Sequence, residues 1–243
     1  MFQTTKKIIH RLVTAKRIIT KRDPLMITTQ TFKPILITAA AVALIAGVWL
    51  GISTESSKNI KPPQINGTLL PTAKAITAFQ LLDQKSQPFT EQNFRDHWSL
   101  VFIGYTHCPD ICPTTLTTLQ QTLLLMQEQS IELPKVIFIS VDPTRDTPDV
   151  LAKYVGYFNP DFIGLTGSDE QLANISKQTA TFYMKAAGAS GDINKNDYLM
   201  EHSAAILLIN PKAELQAYLT APHSPQQLSE SIERSMEYFA AQQ

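Results

Sequence analysis

Ser99–Leu100–Val101–Phe102–Ile103–Gly104, followed by Tyr105–Thr106–His107–Cys108–Pro109–Asp110–Ile111–Cys112–Pro113, is the stretch on which the reading of the chain turns. Its first six residues are a continuous apolar run, which fits a strand buried on both faces. Beyond Pro113, leucines at 116, 119, 123, 124 and 125 with Thr and Gln between them predict an amphipathic helix over Thr114–Gln129. Between strand and helix stand Cys108 and Cys112, the only cysteines in 243 residues. That is too few for a disulfide scaffold in a chain of this size. Two thiols four residues apart at such a junction can chelate a soft metal ion, or open and close as a disulfide. A helix beginning at Pro109 would hold Pro113 in its interior, without a donor and against the carbonyl four residues back. Regular helix is therefore expected from Pro113 or just after, with Cys108–Cys112 as an irregular first turn. Such a turn brings residues i and i+4 to about 5–6 Å between Cβ atoms. It also aims the positive helix end at the sulfurs, favouring thiolate.

Working outward, the elements alternate. Phe79–Leu82 reads as a short strand, and Lys135–Val141 as a second buried strand ended by Asp142–Pro143. Thr147–Pro148 opens a helix that runs to about Phe158, where Asn159–Pro160 stops it. Phe162–Leu165 reads as another strand, and Ser168 caps a further helix with Glu170 and Gln171 in its first turn. Ala204–Ile209 and Glu214–Leu219, around Asn210–Pro211–Lys212–Ala213, predict an antiparallel hairpin, and Ser224–Pro225 opens a terminal helix. The order is βαβαβ then ββα. That predicts an α/β, thioredoxin-like fold: a mixed central sheet flanked by helices, with the cysteines at its C-terminal edge.

Composition bounds the rest. Hydrophobic residues make up 44% and charged residues 17%, a globular balance, and the formal net charge of zero gives no reason to expect nucleic acid. The balance hides an asymmetry. Before Pro34, Lys6, Lys7, Arg11, Lys16, Arg17, Lys21, Arg22 and Lys33 face Asp23 as the only acid. Ile35–Ile52 then carries no charge, and Thr38 is its one polar residue. Eighteen helical residues at ~1.5 Å each span about 27 Å, roughly a hydrocarbon core. A signal peptide's apolar core is shorter and is followed by a small-residue cleavage site, which Ser53–Thr54–Glu55 does not supply. The chain is accordingly expected to divide into a basic segment 1–34, a transmembrane anchor 35–52, a polar linker 53–70 and one domain over 71–243. Positive charge before the span places the N-terminus inside and the domain outside. The first residues form either a basic surface helix or transit peptide, or an extension ahead of a start at Met26.

A structural zinc site takes four ligands, and no second C-x-x-C or H-x-x-x-H is present to complete one. Copper(I) is soft and accepts two thiolates and one imidazole. Five histidines compete for the third place. His10 precedes the anchor, and His97, in Arg95–Asp96–His97, reads as solvated. His107 adjoins Cys108 and points away from it, and His223 sits in a turn and reads as a surface residue. His202 stands at the mouth of Ala204–Ile209, where it either reaches a neighbouring loop or merely supports one.

Gly104–Pro113 is very similar to the cysteine signature of the Sco/SenC family. Val141–Asp142–Pro143–Thr144–Arg145–Asp146–Thr147–Pro148 resembles that family's second signature, and Glu201–His202–Ser203 its histidine segment. Order and spacing agree over about residues 76–240. The resemblance implies a membrane-tethered, thioredoxin-like copper-binding protein of cytochrome c oxidase assembly. It implies one copper ion per domain, Cu(I) with Cu(II) as a second form, held by Cys108, Cys112 and His202, with Asp142 near the metal and Glu201 supporting the histidine. Implied partners are subunit II of the oxidase, other copper chaperones and thiol reductases. Implied residence is the bacterial inner membrane with the domain in the periplasm, or the mitochondrial inner membrane facing the intermembrane space. The chain departs from the family's common pattern at Glu201, where Asp is usual, at Asn210–Pro211 in place of Asp-Pro, and at Asp96–His97 in place of Gly-Lys. Two functions remain: a metallochaperone working by ligand exchange, and a thiol-disulfide oxidoreductase in which one cysteine attacks a partner disulfide and the other resolves it. A thiol peroxidase lacks the sequence context of its single nucleophilic cysteine. His202 separates the first two, because ligand exchange uses it and dithiol exchange does not.

Overall fold

The apolar run Ser99–Gly104 becomes a central strand with every residue buried. In the computed structural model, which describes residues 38–44, 61–189, 191 and 197–243, this strand lies in the unit Lys58–Gln243. The strands are β1 (Gly67–Ala75), β2 (Leu81–Asp83), β3 (Pro88–Phe89), β4 (Ser99–Gly104), β5 (Lys135–Ser140), β6 (Ile163–Thr166), β7 (Tyr183–Ala187), β8 (Tyr198–His202), β9 (Ile206–Asn210) and β10 (Glu214–Leu219). The helices of this unit are α1 (Ile111–Glu128), α2 (Pro148–Phe158), α3 (Asp169–Gln178) and α4 (Pro225–Ala241). Eight strands form one sheet in the order β1-β10-β9-β4-β5-β6-β2-β3, and β7 pairs with β8 in a separate ribbon.

β4, β5 and β6 are parallel neighbours, which requires a crossover between each pair. α1 and α2 supply them. Because helices cover the sheet, β4, β5 and β9 carry unbroken apolar side chains rather than an alternating pattern. Phe102 and Phe138 are fully buried and meet as a tilted pair at 6.2 Å in the middle of this core. Each such burial contributes about 1.5–3 kcal/mol. α1 packs on α4, and α2 lies on β6, where a Cβ at Gly164 would stand 3.0 Å from Leu151.

Several boundaries differ from expectation. α1 begins at Ile111, two residues ahead of Pro113. In the third helical position Pro113 lacks an amide that has no intrahelical acceptor in any helix, so it stays inside the first turn at no loss. The expected strand at Phe79–Leu82 starts at Leu81, since Phe79 instead joins Phe89 and Phe94 in an aromatic cluster. The expected linker to residue 70 ends earlier. β1 starts at Gly67 and pairs antiparallel with β10, so a boundary at 71 would cut the strand. Its sequence hides it, with Pro71 inside and only partial burial, which an edge strand tolerates.

In the unit Met1–Ser57, residues 38–44 are helical. Among the described residues no helix is long and apolar enough to cross a membrane. The rest of the expected anchor 35–52, the basic segment and Met26 lie outside the described residues.

Candidate metal centre

β4 delivers the chain to the sheet's C-terminal edge at Gly104, and α1 leaves from Ile111. Asp110 occupies the N-cap position but makes no capping bond. A sulfur substitutes for it: the Cys112 amide donates to Cys108 Sγ at 3.4 Å. Cys112 itself turns inward and is completely buried. It fits because residue 104 has no side chain. A Cβ there would meet Cys112 Sγ and Phe138 Cε2, each at 2.7 Å.

The third group arrives from the separate ribbon. His202 ends β8, and its Nε2 lies 3.4 Å from Cys112 Sγ. Its Nδ1 lies 3.1 Å from the Ser203 carbonyl oxygen. A carbonyl only accepts, so Nδ1 is the donor there, and Nε2 is the ring nitrogen that faces the sulfurs. The imidazole stands edge-on to Phe102 and Tyr105, with ring centroids 5.9 and 6.0 Å away. Among the described residues, Cys108, Cys112 and His202 are the one group of metal-ligating side chains whose donor atoms converge, all within 4.8 Å of one another.

The two thiols are electrostatically unequal. The hydrogen bond from Cys112 holds the Cys108 thiol well below its ordinary value, at about 5, with further help from the amides of Asp110 and Cys112. The same bond, together with burial, pushes the Cys112 thiol up. At neutral pH the pair therefore exists as a Cys108 thiolate bonded by a Cys112 thiol.

The residues expected to support the site lie elsewhere. Asp142 is outside the donor group; it is fully buried, paired with Arg145, and accepts the Tyr198 hydroxyl proton at 2.7 Å. Glu201 points to solvent on the strand face opposite its neighbour His202, because successive side chains alternate. The backbone of Ser203, not Glu201, orients the imidazole. His107 points away from the sulfurs as expected, toward Thr106 Oγ1 at 3.1 Å. His97 is half-buried rather than fully solvated: its Nε2 is buried without a partner, and desolvation lowers its pKa. His223 is partly buried and lies 3.1 Å from the Ala204 carbonyl oxygen.

Sequence reasoning missed Asp146. This fully buried carboxylate accepts from the Thr106 amide at 2.8 Å, the Thr106 hydroxyl at 2.6 Å and the Ser140 hydroxyl at 2.5 Å. It fixes the loop two residues before Cys108. The available signal was an acid in the second signature with no helix to cap, since Thr147 takes that role.

The geometry can be set beside known proteins. The sequence pattern of the SCO1/SenC family matches residues 68–237, well over half the chain. The chain belongs to the SCO1/SenC family. It is 36% identical over 207 residues to "Protein SCO2 homolog, mitochondrial" of Bos taurus, covering 84% of this chain and 76% of that one. Among solved structures, copper-bound ScoI of Arabidopsis thaliana superposes with a TM-score of 0.62 at 31% identity, covering 67% of this chain and 98% of that one. Yeast Sco1 with copper bound superposes with a TM-score of 0.60 at 27% identity, covering 69% and 90%. The α/β, thioredoxin-like fold of the Sco proteins is thereby established for this chain.

Two of its departures from the family pattern have physical explanations. At Asn210 the side-chain oxygen accepts from the amides of Lys212 and Glu214 at 2.9 and 3.1 Å, as an aspartate would. The amide nitrogen adds bonds to Glu214 at 3.0 Å and Gln216 at 3.2 Å. Asp96, where the Sco/SenC pattern has glycine, adopts φ 65°, a left-handed conformation that aspartate tolerates better than most residues.

Proposed function

We propose that this chain is a copper-binding metallochaperone of cytochrome c oxidase assembly, with Cys108, Cys112 and His202 as its ligands. The observation that carries the reading is the convergence of two sulfurs and one imidazole nitrogen within 4.8 Å. Two soft sulfurs and an imidazole suit Cu(I). Copper is cargo here, one ion per domain. It leaves as the sulfurs of an acceptor replace Cys108, Cys112 and His202 one by one, without electron transfer. The acceptor is the binuclear copper site of oxidase subunit II. Cu(II) is a second form the same donors hold. Residues 35–52 anchor the chain, with its N-terminus inside and its domain in the periplasm of a bacterium. The alternative residence is the mitochondrial inner membrane, with the domain facing the intermembrane space; similarity to relatives named as mitochondrial supports it.

A second reading, thiol-disulfide exchange, is favoured by the inequality of the two thiols. The Cys108 thiolate attacks one sulfur of a partner disulfide, forms a mixed disulfide and expels a partner thiolate. Cys112 then attacks Cys108 Sγ, gives up its proton and expels the second partner sulfur. A Cys108–Cys112 disulfide remains, and two electrons have passed to the partner.

Cells carrying Cys108→Ser/Cys112→Ser or His202→Ala, assayed for oxidase activity and oxidase copper content, distinguish the readings. The chaperone reading expects both variants to lose copper and activity. Full activity in His202→Ala beside loss in the double cysteine variant would replace it with the reductase reading.

A further inference from the structure

The ribbon that carries His202 is not part of the eight-stranded sheet, so no backbone ladder of that sheet fixes the imidazole over the sulfurs. A polar cluster at the opposite end of β8 does so. The Tyr198 hydroxyl donates to Asp142 Oδ1 at 2.7 Å, and Arg145 donates to the Tyr198 carbonyl oxygen at 3.0 Å. The Arg145 guanidinium lies 3.7 Å over the Tyr198 ring and pairs with Asp142. Arg145 also faces Tyr105 at 5.7 Å, and the His202 ring packs against that same Tyr105. Tyr198, Met200 and His202 alternate onto one face of β8, so fixing Tyr198 fixes the face that presents the imidazole.

We infer that Asp142, Arg145 and Tyr198 form a latch that positions His202 by holding the β7–β8 ribbon to the turn after β5. The turn from Asp142 to Asp146 then organises both halves of the centre. Its first residue and Arg145 hold the ribbon that brings the imidazole. Its last, Asp146, holds the loop that brings Cys108. The two carboxylates are locked together, since the Asp142 carbonyl oxygen accepts the amides of Arg145 and Asp146 at 3.2 and 2.9 Å. Asp142 is thus a positioning residue, acting through Tyr198. Opening the latch would strip the Tyr198 hydroxyl from the buried Asp142 carboxylate, and a buried carboxylate is costly to leave short of hydrogen bonds, which favours the closed state.

The test uses the full-length chain with Tyr198→Phe, which keeps the ring and its stacking on Arg145 and removes only the hydroxyl. Asp142→Asn serves as a second variant that preserves shape. Amide hydrogen exchange of residues 198–203 in the copper-free, reduced protein reads the latch without metal. Faster exchange confined to the ribbon is expected in both variants, and unchanged exchange overturns the inference. Cu(I) affinity by chelator competition, which rests on the copper-binding reading, supplies the second arm. Tyr198→Phe is expected to weaken binding about tenfold in the parent and not at all in a His202→Ala background. An equal loss in both backgrounds shows that the cluster does not act through His202 and overturns the inference. Failure of the parent to bind Cu(I) would reject the proposed function, while the exchange arm would still decide the latch.

Discussion

Gly104→Ala places a methyl group in a space already filled. An ideal Cβ would stand 2.7 Å from Cys112 Sγ and 2.7 Å from Phe138 Cε2, with Phe138 Cζ at 3.3 Å. Favourable carbon contacts lie at about 3.5–4.0 Å, so both sulfur and ring must retreat by about 1 Å. The ring has little freedom, being packed between Phe102 at 6.2 Å and Tyr154 at 5.5 Å, so its contact is relieved only with strain. The sulfur moves as well, because nothing the ring does relieves its own contact. Overpacking of this kind costs about 1–3 kcal/mol, and replacing glycine within a strand returns about 0.5–1 kcal/mol. At the middle of both ranges the clash wins, for a net loss of about 1 kcal/mol. At ~2–4 °C per kcal/mol in a domain of this size, Tm falls by about 2–4 °C. Gly156→Ala is the matched control, because nothing lies within 4 Å of its Cβ and it sits in α2. That change is expected to stabilise by about 0.5–1 kcal/mol. The assays are thermal unfolding of the copper-free chain and chelator competition for Cu(I). Gly104→Ala should lower both Tm and Cu(I) affinity, and Gly156→Ala should leave affinity alone. A Gly104→Ala protein with wild-type affinity would refute the view that β4 and α1 set the position of the Cys112 sulfur.

Two further predictions concern charge. With its pKa held at about 5, Cys108 should react with iodoacetamide at a rate that is flat from pH 8 to 6 and half-maximal near pH 5, while Cys112 stays unmodified. A midpoint near the ordinary value of 9.0 would contradict the hydrogen-bonded thiolate. A depressed pKa adds stability that is complete above about 9 and is lost as pH falls toward about 5, so acidification weakens the reduced, copper-free protein across that window. Asp146→Asn replaces an acceptor of three hydrogen bonds with a group that donates on one side. It should cost about 1.5–3 kcal/mol in urea unfolding and should speed alkylation of Cys108 by loosening Thr106–Cys108. Wild-type stability would show that the buried carboxylate is not holding the loop.

The core was legible where one period dominated. The apolar runs at Ser99–Gly104 and Lys135–Ser140, the capped starts at Thr147, Ser168 and Ser224, and the hairpin around Asn210–Pro211 each carry a local signal strong enough to survive packing. β1 was hidden because an edge strand buries only some of its residues, and Pro71 reads as punctuation. β7 and β8 were hidden for a related reason. Met184 and Leu199 are apolar yet exposed, so the sequence does not alternate even though Tyr198 and Met200 are buried on one face of β8. Of the centre, the cysteine pair was visible from spacing alone. By position His202 is one of several candidates, and only the family resemblance singles it out, because the strand that presents it carries no clear pattern in sequence. The roles of Asp142 and Asp146 depend on contacts across 56 and 40 residues, which no local pattern encodes.

Two sulfurs and the His202 nitrogen are proposed to hold one copper ion together, and X-ray absorption at the copper edge of the reduced, Cu(I)-loaded full-length chain reads those neighbours. Two sulfurs and one imidazole nitrogen are expected in the wild type, with loss of the nitrogen scattering in His202→Ala. Identical spectra from the two proteins would contradict it.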